Sequence, residues 1–206
     1  MGSGRGWTIR LGAAVFLALI AMPATARAGD PTDQIRAAIE KGISVVQDPK
    51  LQGKGKTGER RAQLRQAVAP YFDFREMAKR SLAIHWRNRT PAEKEEFTRL
   101  YEQVLENSYA GKIESYHGEK ILYGRETVDP PYAVVRTNVV TAKGQEIPVN
   151  YLLLREGTRW KIYDVVIEGI SLVNNYRSQF SSILERNSFP ELIRKLKATV
   201  NRLEKG

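Results

Sequence analysis

Trp160–Phe180, WKIYDVVIEGISLVNNYRSQF, changes its period halfway along. From Trp160 to Ile170 aromatic and β-branched residues dominate, interrupted by Lys161, Asp164 and Glu168, and this composition predicts a strand. Gly169 punctuates the run. Beyond it Leu172, Val173, Tyr176, Phe180, Ile183 and Leu184 recur every three or four residues, the spacing of a helix with one apolar face. A strand that feeds straight into an amphipathic helix builds a wall from two kinds of element. The run holds no nucleophile–base pair, so it points to packing or enclosure rather than chemistry. Asp164 and Val165 are neighbours and cannot both face inward on a regular strand, so a local bulge is expected there.

Upstream the same alternation recurs. Ile121/Tyr123, Val135/Thr137/Val139 and Ile147/Val149/Tyr151/Leu153 alternate with polar neighbours, separated by turn signals at Asp129-Pro130-Pro131, Lys143-Gly144 and Glu156-Gly157. With Trp160–Ile167 this predicts four antiparallel strands, since the connections are too short for crossovers. Before them lie helices. Asp33–Val46 carries Ile35, Ile39, Ile43 and Val46 on one face, and Arg60–Ala69 follows the polar loop Gln52–Gly58. Residues 71–86 read as one helix with a dense aromatic stripe of Phe72, Phe74, Met77, Ala78, Leu82 and Trp86. Thr90-Pro91-Ala92-Glu93 opens a long helix as a capping box, with Phe97, Leu100, Tyr101, Val104, Leu105 and Tyr109 on its apolar stripe. Ser188–Glu191 starts a last helix through Leu192, Ile193, Leu196, Val200 and Leu203. Helices, one antiparallel sheet, then helices make an α+β domain.

The N-terminus reads as an export signal. Arg5 and Arg10 precede the apolar run Leu11–Met22, and Ala26-Arg27-Ala28 supplies small residues for cleavage after Ala28. Residues 1–28 are therefore expected to be removed, leaving 29–206 as one domain. The formal charge is +10, and without Arg5, Arg10 and Arg27 the mature chain has 30 basic against 23 acidic residues. With no cysteine in the chain, a disulfide scaffold, a thiolate metal site and a cysteine-linked lipid anchor are all excluded. Stability must come from a core, and a chain of this length can bury one.

Candidates for chemistry are few. His85 and His117 are far apart and in no ligand spacing, and are expected as surface or capping residues. Asp73, Asp164 and Glu168 are carboxylates among apolar residues, with Asp164 and Glu168 expected to pair with Lys or Arg at a strand edge. No nucleophile elbow, phosphate loop or metal cluster is present, so no catalytic residue, metal or cofactor is expected. Aromatic and apolar residues, by contrast, exceed what a minimal core needs. Helices and a curved sheet could enclose an apolar cavity, with tyrosines at its mouth.

Two blocks, Trp160–Leu184 and Phe72–Phe97, resemble the MlaC-type phospholipid-binding proteins, also called the toluene-tolerance auxiliary family. The resemblance extends over the mature chain and departs at Ala83, where the family pattern has glycine after the leucine. It implies a four-stranded twisted antiparallel sheet packed with helices around an apolar pocket, related to nuclear-transport-factor-2-like domains. It also implies a periplasmic carrier that takes a glycerophospholipid by its tails and docks on an inner-membrane ABC-transporter complex and an outer-membrane lipoprotein complex, with no nucleic acid as ligand. The residues expected to line the pocket are Phe72, Phe74, Met77, Leu82, Trp86, Tyr101, Leu105 and Tyr109 from the helices; Val135, Val139, Val149, Tyr151, Leu153, Ile162, Val165 and Ile167 from the strands; and Ile170, Leu172, Tyr176 and Phe180 beyond them. Three other readings stay open at this stage. One is a hopanoid-type carrier of the same superfamily. Another is a small-ligand enzyme on the same scaffold, with Asp73 or Asp164 as its acid–base group. The third is a chaperone-like module with an apolar groove.

Overall fold

The structure, a computed structural model, describes residues 30–205. The expected export signal lies outside the described residues. Helix α1, Pro31–Val46, starts where Asp30 accepts from the Thr32 amide and Pro31 presets the first turn. Helix α2 is Thr57–Val68, so the expected loop 52–58 is instead a 3-10 turn at Lys54–Lys56 running into the helix. Leu64 and Val68 of α2 pack over Gly42 of α1, at a distance that would also accommodate a Cβ.

The single helix expected over 71–86 is broken at both ends. Ala69–Tyr71 form a 3-10 turn, and Phe72 bridges to Ile162, where the Asp73 amide donates to the Ile162 carbonyl at 2.9 Å. Helix α3, Phe74–Leu82, begins only because the Asp73 carboxylate accepts from the Glu76 amide at 2.8 Å. It ends at Ala83, whose φ of 49° and ψ of −121° lie where glycine is preferred, and Ala83–Trp86 continue as a 3-10 turn. The family-pattern glycine that this chain lacks therefore falls at a backbone that favours it. Ala83→Gly is expected to stabilise the protein by about 0.5–1 kcal/mol, the relieved strain exceeding the entropy added to the unfolded chain. Urea denaturation measures this, and an unchanged or lower midpoint would refute the strain argument.

Helix α4, Pro91–Glu114, has the predicted capping box between Thr90 and Glu93. Five strands follow: β1 Lys120–Asp129, β2 Tyr132–Val140, β3 Glu146–Glu156, β4 Arg159–Ile167 and β5 Ile170–Ser171. They pair antiparallel in chain order. The sheet is thus one strand larger than expected: β4 ends at Ile167, as expected of the fourth strand, and Ile170–Ser171 add a short fifth. Glu168 at φ 50° and Gly169 at φ 83° reverse the chain in two residues, which returns Ile170 opposite Ile167. Helix α5, Leu172–Leu184, leaves directly from β5, and α6, Phe189–Lys205, closes the chain.

The expected bulge is present. Leu153 pairs with Ile162 and Leu152 with Asp164, which leaves Tyr163 as the extra residue. Without it, Ile162 and Val165 would fall on opposite faces. With it, Trp160, Ile162, Val165 and Ile167 all join one apolar cluster, while Asp164 turns the other way.

Apolar side chains gather in two clusters. The first lies on the inner face of the sheet, where Ala133, Val135, Val149, Leu153, Trp160, Ile162 and Val165 pack with Ile35 of α1 and Leu172 of α5. The second lies among α3, α4, α5 and α6, centred on the stacked rings of Phe97 and Tyr101, each of which Phe180 meets edge to face. Phe72 and Tyr109 pack against both and join them.

Candidate functional site

The inner face of the sheet is closed at one end only. Next to the β1–β2 and β3–β4 hairpins, Ala133, Val135, Leu153, Trp160 and Ile162 are at most 4% exposed. Towards the other end the same face keeps accessible surface: Tyr123, Val139, Ile147, Tyr151 and Ile167 are half-buried although they pack on the cluster. Cross-strand register puts them side by side, with Val139 opposite Ile147 and, one row in, Tyr123, Thr137, Val149 and Ile167 in line. Ile39 of α1 and Tyr109 of α4 face this region from the helical side, and Tyr71 and Phe72 from the strip beside β4. The result is a partly covered apolar strip over this half of the sheet, and this strip is the candidate recess.

Burial raises the phenol of Tyr151 to about 12, with Tyr123 adding to the shift, in a residue that is half-buried overall. Tyr109 and Tyr123 are also raised by burial, with Arg36 pulling Tyr123 back. Thr137 is buried and satisfied, its hydroxyl donating to the Val149 carbonyl at 2.9 Å.

The residues read from the sequence divide between the two clusters. Val135, Val139, Val149, Tyr151, Leu153, Ile162, Val165, Ile167 and Leu172 meet on the sheet face. Phe74, Met77, Leu82, Trp86, Tyr101, Leu105, Tyr176 and Phe180 lie in the helical cluster, and Phe72 and Tyr109 at the junction. Ile170 belongs to neither: it is 62% exposed, because the turn at Glu168-Gly169 carries it off the face it would occupy on a continuous strand. Ile39, Tyr71, Tyr123 and Ile147 were not among the expected lining residues. Their signal was the alternation of the strands and the apolar face of α1; what it lacked was which face α1 covers.

The carboxylates act structurally. Asp164, 5% exposed, does not meet the basic partner expected of it: its Oδ1 accepts from the Val173 amide at 3.1 Å and its Oδ2 from the Ser171 hydroxyl at 2.5 Å. It is thereby engaged at the N-terminus of α5, as Asp73 is at that of α3. Both carboxylates are thus engaged as acceptors at helix N-termini. Glu168 is exposed in its turn. His117 is exposed, with its ring Nδ1 against the Ser115 carbonyl, and His85 is half-buried. Among the described residues no group of three or more His, Asp or Glu side chains is arranged to hold a metal ion. Two surface clefts of about 350 and 380 Å³ flank Phe189 and Pro190 at the α5–α6 corner, away from the recess.

Helix α2 is tied to α4 by charge. Arg60 and Arg61 reach Glu114 at 3.0 and 3.2 Å, and Arg65 reaches Glu106 at 2.7 Å. Glu106 keeps its other oxygen buried without a partner, and burial raises its carboxyl to about 7 against the pull of Arg65. The raised value means that the fold favours protonated Glu106. Its contribution is full below about 4.5 and is lost as pH rises through about 7. Discounted for solvent access, the loss is about 1 kcal/mol between about pH 5 and pH 8. Glu106→Gln is expected to flatten that decline and raise the urea midpoint at about pH 8; equal slopes in both proteins would count against it.

Fold and recess together define a mixed α+β domain with an antiparallel sheet, several helices and one sheet face left partly open as an apolar trough. The family model described as MlaC protein matches residues 36–198, and the chain belongs to that family. The intermembrane phospholipid transport system binding protein MlaC of Haemophilus influenzae is 23% identical over 172 residues, covering 81% of this chain and 80% of that protein. Toluene tolerance protein ttg2D of Pseudomonas putida is 25% identical over 186 residues, covering 87% and 84%. The fold matches a phospholipid-binding protein from Ralstonia solanacearum, solved in complex with a phospholipid, at a TM-score of 0.76 and 22% identity, over 85% of this chain and 99% of that one.

Proposed function

We propose that this protein binds a glycerophospholipid by its acyl chains and carries it across the periplasm between an outer-membrane and an inner-membrane transport complex. The observation that carries the reading is the half-buried inner face of the sheet, apolar apart from the internally bonded Thr137 and flanked by tyrosines, in a chain of the MlaC family. Two acyl chains of roughly 30 methylenes cost on the order of 20 kcal/mol to leave in water, so free lipid crosses an aqueous space poorly. A carrier that covers the chains removes that cost and can leave the headgroup in solvent. The relatives named for phospholipid transport and the lipid-bound structural neighbour support the ligand class.

The lining comprises the sheet-face residues with Phe72 and Tyr109, and the residues of the helical cluster form the frame behind it. On this reading the fold is a variant of the nuclear-transport-factor-2-like type with the tails in its concavity. Helix α1 is anchored on the sheet through Ile35, whereas α2 reaches α4 through ion pairs, so α2 is the element taken to shift. Docking on a partner complex would displace α2 and favour a lipid-poor state, and the basic balance of the chain suits acidic docking surfaces. The mature chain begins after Ala28. Organic extraction of protein purified without detergent from periplasmic extract tests the ligand: close to one phospholipid per chain is expected. Protein without lipid that also takes none up from phospholipid vesicles would overturn the proposal.

A further inference from the structure

Three of the half-buried tyrosines around the recess carry a cation over the ring. Arg36 stands 4.0 Å from the centre of Tyr123, Lys112 5.5 Å from Tyr109 and Lys41 5.7 Å from Tyr71. Arg36 is the closest, and its position is the most telling. Tyr123 lies opposite Thr137, one row in from the Val139–Ile147 pair where the recess opens. Arg36 is exposed, so its guanidinium lies over a half-buried ring while remaining open to solvent. Arg36 makes none of the ion pairs found among the described residues, although Glu40 stands one turn further along α1. An arginine stacked on an aromatic ring keeps its N–H edge free. That edge matches two oxygens of a phosphodiester and bonds them in parallel, which a lysine cannot do.

We propose that Arg36, held over Tyr123, binds the phosphodiester of the glycerophospholipid whose chains occupy the recess. The inference rests on the carrier reading and deepens it. In such a lipid the phosphate is joined to the chains through one glycerol unit. With chains on the apolar floor, the phosphate reaches the rim at the level of the tyrosine rings, where Arg36 projects. The recess then selects for the phosphodiester shared by all glycerophospholipids and stays indifferent to the alcohol beyond it. An uncharged diacylglycerol fills the same floor without this contact.

The test compares phosphatidylglycerol with diacylglycerol of identical chains, by equilibrium uptake into full-length mature protein. Arg36→Ala is expected to weaken phosphatidylglycerol about tenfold and diacylglycerol less than twofold, and Arg36→Lys to weaken phosphatidylglycerol a few-fold by losing the fork. Arg36 is exposed, so both variants are expected to keep the parent's thermal midpoint; where the alanine variant folds poorly, a lysine variant that binds as tightly as the parent overturns the proposal. Equal loss for both lipids, or no loss, also overturns it. Glycerophosphoglycerol, which has the phosphodiester but no chains, is expected not to compete; full competition would assign Arg36 to a soluble phosphodiester instead. Parent protein that takes up neither lipid sinks the carrier reading itself, an outcome distinct from lipid uptake that is blind to Arg36.

Discussion

Ile147→Glu is expected to lower bound phospholipid at least tenfold while leaving a folded protein. Ile147 sits in the outermost row of the recess, opposite Val139, and is only half-buried. A carboxylate there is solvated in the lipid-free protein. An acyl chain laid over it must either strip that solvation or leave the floor, and stripping a charge costs several kcal/mol. The loss to folding is smaller, about 1–2 kcal/mol, because only part of the isoleucine leaves a buried environment. The contrast with deeper positions matters: at Ile162 or Leu153, 2% and 0% exposed, a glutamate would be buried in the folded protein itself and would test stability instead of binding. Leu122→Glu is the matched control, since Leu122 neighbours Tyr123 in β1, points to the opposite face and is 38% exposed. Organic extraction and native mass spectrometry read both variants. Equal lipid content in Ile147→Glu and the parent would remove the open end of the sheet from the site.

Asp164→Ala is expected to be the most destabilising of these substitutions, by about 3 kcal/mol, or roughly 6–12 °C in thermal midpoint for a domain of this size. The carboxylate joins two elements at once. It holds β4 to the first turn of α5 through the Val173 amide, and it orients the Ser171 hydroxyl, which in turn accepts from the Asn174 amide at 3.0 Å as the helix cap. Its negative charge also suits the positive end of the helix dipole. Removal leaves a buried amide without a partner and loosens the cap behind it. Asp164→Asn keeps one acceptor oxygen and is expected to recover about half of the loss. Because α5 supplies Leu172 to the sheet cluster and Val173 and Phe180 to the helical one, the alanine variant should also lose cooperativity between the two. Urea denaturation followed by tyrosine fluorescence and far-ultraviolet circular dichroism measures this, and a loss below about 1 kcal/mol would show that water replaces the carboxylate at no great cost.

These two residues also show where reading the chain succeeds and where it stops. Trp160–Phe180 was legible as strand then helix because both periods are local, and the resemblance of the same block led to the family. Thr90 and Glu93 were legible as a capping box, and the turn signals at Pro130-Pro131, Gly144 and Gly157 fall between paired strands, since caps and hairpins are decided by residues within a few positions of each other. A bulge in this strand was also expected, and its effect is to bring Ile162 and Val165 to one face while Asp164 turns the other way. The partner of Asp164 is not the basic residue expected: Ser171 at the end of β5 and Val173 in α5 are brought back against the strand by the turn at Glu168-Gly169.

The order of elements, their types, the apolar faces of α1 and the strands, and the absence of thiol chemistry were thus determined by the sequence alone. Tertiary structure decided the rest. It broke the aromatic stripe of 72–86 at Asp73 and Ala83, because a capping carboxylate and a positive φ outweigh helical spacing. It sorted equally apolar residues into a sheet-face cluster and a helical one. It left Tyr123, Val139, Ile147, Tyr151 and Ile167 accessible while burying Val135 and Leu153 on the same face. Periodicity says that a side chain faces inward, but only the placement of α1 and α4 over the sheet says whether anything covers it. That is why the recess, and Arg36 over Tyr123 at its rim, could be located only once elements distant in the chain were packed together.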